Sequence, residues 1–263
     1  MARGRTKQMM VQRCVDGSVR RGPDDLIVEE PLEIHLDGHI VSTTMRTPGH
    51  DFELAIGFVH AEGLLHGVPI TGVRYCGTGS AAATEFNVVT VETGQIAPIP
   101  VARLTATSSS CGLCGSSNIE QLCERLIPIA AAPTITYDVL ATVSERVRSE
   151  QSLFARTGAV HAAAAFGRHG VLLVVREDIG RHNAVDKVVG RLLLDGQLPA
   201  TSMGLFVSGR ASFEMVQKAW AAGFGTVIAV SAPSSLAVET ARRGNLTLVG
   251  FVRDATMNVY SPA

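Results

Sequence analysis

No apolar stretch in this 263-residue chain reaches the length needed to cross a bilayer, and its opening segment, with Arg3, Arg5, Lys7 and Arg13, lacks the apolar run of a secretory signal. A cytoplasmic protein without membrane contacts is expected. Surplus charge is also missing. With 23 Lys+Arg against 24 Asp+Glu, the formal net charge is −1, which excludes the basic footprint of a nucleic-acid binder. Cysteine is sparse and odd in number: Cys14, Cys76 and Cys123 stand singly among the 5, so neither a secreted disulfide framework nor the two thiol pairs of a structural zinc site is on offer within one chain. No metal ligands are assigned. What the chain has is core, because 46% hydrophobic residues suffice for one large α/β domain or two small ones.

The one thiol pair lies in Thr107-Ser108-Ser109-Ser110-Cys111-Gly112-Leu113-Cys114-Gly115-Ser116-Ser117. Small residues without apolar periodicity bury no face, so 107–117 reads as a mobile surface loop. A helix candidate over 118–126 follows, and its first turn and the second sulfur would both lower a thiol pKa. A thioredoxin-like site is not expected, since the pair neither follows the first strand of a compact domain nor sits among aromatic residues. Cys123, beside Leu122 and Leu126, reads as core, and Cys76 as structural.

Around this loop the chain divides into four. Residues 1–25 read as a basic flexible arm and 26–106 as an α+β part; after the loop, 118–263 reads as an α/β domain. In the second part Leu32, Ile34 and Leu36 alternate with polar residues before an Asp37-Gly38 hairpin turn, and Asp51 is placed to cap a helix that ends near Gly63. In the last part a helix over 138–154 precedes short β-branched runs at 171–175, 205–208, 227–231 and 246–251, separated by helices at 183–194, 213–222 and 236–242. Gly196, Gly223 and Gly244 stand where left-handed helix ends are wanted. Such alternation predicts a mostly parallel sheet, with ligands in the crevice beyond the strands' carboxyl ends. Four polar exits, beginning at Arg176, Ser208, Ser231 and Phe251, would suit a phosphorylated ligand with a polar base.

The strings Ser108-Ser109-Ser110-Cys111-Gly112-Leu113-Cys114-Gly115, Thr157-Gly158-Ala159-Val160-His161-Ala162-Ala163, Glu177-Asp178-Ile179-Gly180-Arg181-His182-Asn183-Ala184-Val185-Asp186-Lys187 and Ser208-Gly209-Arg210 together resemble the FdhD family of formate dehydrogenase accessory sulfurtransferases. The resemblance implies a persulfide carrier that takes sulfur from a cysteine desulfurase and passes it to the bis-molybdopterin guanine dinucleotide cofactor of formate dehydrogenase. It implies Cys111 as the sulfur-bearing thiol, with Cys114 in a weaker, assisting role. It also implies a site for that cofactor, or for GDP as its fragment, that includes Phe251, Val252, Arg253, Asp254, Ala255 and Thr256, and a homodimer. The fold it implies is a three-layer α/β body like that of the cytidine deaminases. Those enzymes need a His-x-Glu pair and a later Pro-Cys-x-x-Cys. Here Ala163 takes the acid's place, so deamination is not expected, and His161 reads first as a hydrogen-bonded structural residue and second as part of the crevice wall. The alternative function is a cofactor chaperone whose thiols carry no sulfur.

Overall fold

The alternation of short apolar runs and helices in the second half builds a six-stranded sheet with helices on both faces. The structure is a computed structural model and describes residues 4–76, 80–100, 123–130, 134–253 and 255–262. In chain order the second half contributes α2 (Tyr137–Glu150), α3 (Ser152–Thr157), β7 (His161–Phe166), β8 (Leu172–Asp178), α4 (Arg181–Leu194), β9 (Gly204–Val207), α5 (Phe213–Ala221), β10 (Thr226–Ala229), α6 (Ser235–Arg243), β11 (Thr247–Arg253) and β12 (Thr256–Ser261). The strand order is β12-β11-β10-β9-β7-β8. The four expected strands, β8 to β11, all run the same way, whereas β7 and β12 run against them.

Strand β7 was not foreseen, and its composition explains why. His161-Ala162-Ala163-Ala164-Ala165-Phe166 reads as helix by propensity, yet it pairs with a strand on each edge and is buried on both faces. Its residues alternate between cores. Ala163 and Ala165 join Leu205, Val207, Val227 and Leu248 under α4, α5 and α6. Ala162, Ala164 and Phe166 join Phe206, Ile228 and Val249 under Leu140, Val143 and Val147 of α2. This is the three-layer body, one helix face on each side of a period-two sheet.

The helix expected over 138–154 is two helices. The chain breaks at Gln151, and the carboxylate of Glu177, from β8, accepts the Leu153 and Phe154 N–H groups at 2.9 and 2.8 Å. A distant strand thus supplies the cap that α3 lacks locally. Of the three glycines, Gly196 and Gly223 are left-handed, but Gly244 has φ −83° and Asn245 takes the left-handed turn instead.

The first half holds two sheets. Residues expected as an unstructured basic arm form an antiparallel hairpin, β1 (Thr6–Val15) and β2 (Ser18–Ile27), closed by Asp16 and Gly17 at φ 49° and 76°. Arg156 of α3 ties it down through Asp25 at 3.0 Å and Thr6 at 2.9 Å. The second sheet has the order β4-β3-β6-β5, from β3 (Glu30–Leu36), β4 (His39–Arg46), β5 (Gly72–Tyr75) and β6 (Val88–Glu92). Helix α1 (Asp51–Ala61) covers it with Leu54, Ala55, Ile56 and Val59. Asp51 does not cap α1. Its carboxylate is drawn instead to the buried Arg46 guanidinium, at 3.1 and 3.0 Å, and His50 stands at the helix start in a left-handed conformation. The other side of α1 lies directly on α4, crossing where Gly57 and Gly190 face the opposite backbone. Among the described residues no helix is long and apolar enough to cross a membrane.

Candidate functional site

Two polar regions flank the carboxyl ends of the central strands, and they do different things. The first is the joint between the two halves. Asp178, at the end of β8, accepts from Lys187 Nζ at 2.7 Å and from the Thr47 N–H at 3.1 Å through Oδ2, and from the Gly180 N–H and Asn183 Nδ2 through Oδ1. Lys187 Nζ also donates to the Thr47 carbonyl at 3.0 Å, and Asn183 Nδ2 donates to that of Met45 at 2.8 Å. Burial pushes the Lys187 pKa down, and the Asp178 carboxylate opposes that shift. Nearby, Asp186 accepts from Lys218 at 2.7 Å. The Glu177-to-Lys187 string therefore pins the β4–α1 turn to the body. The first of the four exits expected at the ligand crevice is part of this joint.

The same joint gives the protein an acid-sensitive contact. Arg176 donates to Glu53 at 2.6 and 2.8 Å, joining β8 to α1. Burial alone would raise the Glu53 pKa, but the Arg176 hydrogen bonds, with His50 beside them, hold it at about 2. A folded-state pKa below the unfolded value of 4.5 contributes stability that is whole above pH 4.5 and lost as pH falls toward 2. The loss is on the order of 2–3 kcal/mol. Urea midpoints measured from pH 6 to pH 2.5 should therefore fall less steeply for Glu53→Gln than for the wild type. Parallel curves would show that the pair contributes nothing.

The second region is a cavity of about 1200 Å³. Its floor comes from the strand ends, with Phe206 of β9 and Ser208 just after it, Val230 after β10, and Arg253 and Ala255 at the β11–β12 turn. His161, at the start of β7, lies beside them. One wall is the outer face of α2, where Ala141, Glu145 and Arg148 recur at helical spacing while Leu140, Val143 and Val147 turn into the core. Gln151, Phe154 and Gly158 close the side. Ser208 is held by backbone pairing with β7, its Oγ accepting the Ala162 N–H at 2.9 Å. His161 is half-buried against Gly209, and its pKa is lowered by burial, then by Arg181 and His182. It thus takes the wall position that was its second reading.

Cys111, Cys114 and Asp254 lie outside the described residues. Of the other expected cofactor-binding residues, Arg253 and Ala255 reach the cavity, Ala255 with φ 65°. Val252 is fully buried in the core beneath α2, and Phe251 is exposed at a β-bulge with φ 56°. The Thr256 hydroxyl donates to the Arg253 carbonyl at 2.8 Å and fixes the turn. Glu145 and Arg148 were not singled out from sequence. The polar stripe of α2 was the available signal, but nothing in it says which way the stripe faces.

Arg148, Arg253 and Glu145 have no ion-pair partner among the described residues, whereas Arg46, Arg156 and Arg176 are each committed to carboxylates. Two guanidinium groups without an ion pair among the described residues, beside hydroxyls and a carboxylate, are chemically suited to an anionic ligand that also carries hydrogen-bond donors.

Comparison with known proteins covers nearly the whole chain. It is similar to the sulfur carrier protein FdhD of Streptomyces coelicolor, 48% identical over 98% of this chain and 94% of that one. It is also similar to the sulfur carrier protein FdhD of Mycobacterium tuberculosis, 47% identical over 92% and 91%. A crystal structure described as that of a formate dehydrogenase accessory protein from Desulfotalea psychrophila shares the fold, with a TM-score of 0.77 and 23% identity over 98% of both chains. The FdhD/NarQ profile matches residues 27–263, and the chain belongs to the FdhD/NarQ family.

Proposed function

We propose that this protein is a sulfur carrier: Cys111 takes sulfane sulfur from a cysteine desulfurase as a persulfide and delivers it to the bis-molybdopterin guanine dinucleotide cofactor destined for formate dehydrogenase. The observation that carries the reading is the 48% identity, along nearly the full chain, to a protein named a sulfur carrier. The cavity supports the acceptor half, because a guanine-nucleotide arm brings phosphates, and Arg148 and Arg253 line the cavity without an ion pair among the described residues. The remaining thiols support Cys111 by their unsuitability. Cys76 and Cys123 are buried, at 5% and 4% exposure, and burial raises the Cys123 pKa, so neither is a ready nucleophile. Cys14 is exposed on the hairpin but has no second thiol beside it in sequence. Family resemblance adds a homodimer to the reading, and the lack of a signal-like or membrane-span run in the sequence adds a cytoplasmic location.

Incubating the protein with a cysteine desulfurase and cysteine should add one sulfur atom to the peptide that contains Cys111, as mapped by mass spectrometry under non-reducing conditions. Sulfur found only on Cys14, Cys76 or Cys123 would overturn the assignment. GDP should bind the same preparation in titration calorimetry.

A further inference from the structure

A guanine diphosphate asks two things of its receptor. The phosphates need cations, and the base presents two adjacent donors, N1–H and the N2 amino group, which a carboxylate accepts in parallel. Adenine offers a lone pair at N1 that a carboxylate repels. Any cavity with free arginines meets the first demand, but only one with an uncommitted acid meets the second.

Glu145 and Arg148 sit three residues apart on α2, hence on one face of the helix, and both line the cavity. They form no ion pair with each other. Arg146, between them in sequence, points away and donates to the Gly170 carbonyl at 2.9 Å. Arg253 lines the cavity from the end of β11. Glu145 is the one carboxylate among the described lining residues. The wall therefore presents an acid and two bases that are not ion-paired among the described residues, which fits a ligand bearing both hydrogen-bond donors and negative charge.

Resting on the guanine-nucleotide reading above, we infer that Glu145 is the residue that selects guanine over adenine. Its carboxylate accepts from N1–H and the N2 amino group, while Arg148 and Arg253 take the phosphates. Inosine, which keeps N1–H and lacks the amino group, should fall between the two bases.

Calorimetric titration of the full chain with GDP, IDP and ADP tests this. Wild type should bind in the order GDP, IDP, ADP. Glu145→Ala should weaken GDP by a factor of roughly 10, the worth of hydrogen bonds to a charged group, while leaving ADP within about twofold. Glu145→Gln should retain part of the preference, because its amide oxygen still accepts one bond. Arg148→Ala should weaken GDP and ADP alike and keep their ratio. Retained ADP binding shows that the Glu145 variants are folded, and a wild-type urea midpoint shows it for Arg148→Ala. An unchanged GDP-to-ADP ratio in Glu145→Ala overturns the inference and leaves the proposed function standing, as does a ratio erased by Asp254→Asn but kept by Glu145→Ala. Failure of wild type to bind any guanine nucleotide overturns both.

Discussion

Cells carrying only a Cys111→Ala variant should have formate dehydrogenase activity at the level of cells with no carrier, although the variant protein accumulates and binds GDP like the wild type. The size of the effect follows from the chemistry. In the proposed loading step, the Cys111 thiolate attacks the outer sulfur of the donor's persulfide; a new S–S bond forms as the old one breaks, and the desulfurase thiolate leaves. No charged or polar substitute for that sulfur nucleophile exists in alanine. Delivery is a second, different step. The outer sulfur of a persulfide is at the level of elemental sulfur, and the proposed delivery to molybdenum as sulfide takes two electrons. On the proposed reading Cys114 supplies them: its thiolate attacks the inner sulfur of the Cys111 persulfide, a Cys111–Cys114 disulfide forms, and hydrosulfide leaves as the sulfur handed to the acceptor. Cys114→Ala should therefore load sulfur normally yet deliver it slowly, with added small-molecule thiol restoring part of the activity. If Cys111→Ala activates formate dehydrogenase as well as the wild type, the protein is a chaperone for the cofactor and moves no sulfur, the alternative that the proposed nucleotide site by itself serves equally well.

Much of this architecture was legible in the sequence, and the exceptions have physical causes. Asp37-Gly38 announced a hairpin because alternating apolar residues flanked it. The same dipeptide at Asp16-Gly17 makes the same turn, with Asp16 at φ 49°, but its strands bury almost nothing and so carried no alternation to read. The alanine strand 161–166 was hidden because helix propensity and burial in a central strand favour opposite readings of alanine, and burial wins when both faces are covered. Asp51 had the composition of a cap but was claimed by Arg46, a partner five residues back that local patterning cannot rank. The candidate site divides in the same way. Crevice location followed from topology, and Arg253 from family resemblance. Glu145 and Arg148 depended on how α2 is rotated over the sheet, which is set by Leu140, Val143 and Val147 in the core and by where α2 stops at Gln151. That stop is in turn set by Glu177, 26 residues further along the chain. The string most useful for recognising the family turned out to hold two halves together beside the cavity.

Gly190→Ala should destabilise the protein by about 3 kcal/mol or more, although alanine is the better helix former by about 1 kcal/mol in an exposed helix interior. The sign reverses because of what lies opposite. A Cβ at Gly190 would stand 1.8 Å from the Glu53 carbonyl oxygen, and one at Gly57 would stand 1.9 Å from that of Asp186. Both obstacles are helix backbone, which cannot rotate aside as a side chain can, so α1 and α4 must part along their length. Parting them also stretches contacts that depend on the crossing: Arg176 to Glu53, Lys187 and Asp178 to Thr47, and Gln217 to the Ala61 carbonyl at 2.8 Å. Buried polar groups would then lose partners, which costs more than the overlap alone. Gly57→Ala should behave similarly, and the double variant should cost less than the sum, because one separation relieves both clashes. Gly167→Ala, where an added Cβ meets nothing within 4 Å, is the control and should leave the urea midpoint unchanged. A Gly190→Ala midpoint equal to that of the control would mean that the two halves are not locked at this crossing, and the cavity would then have to hold its shape without the joint beside it.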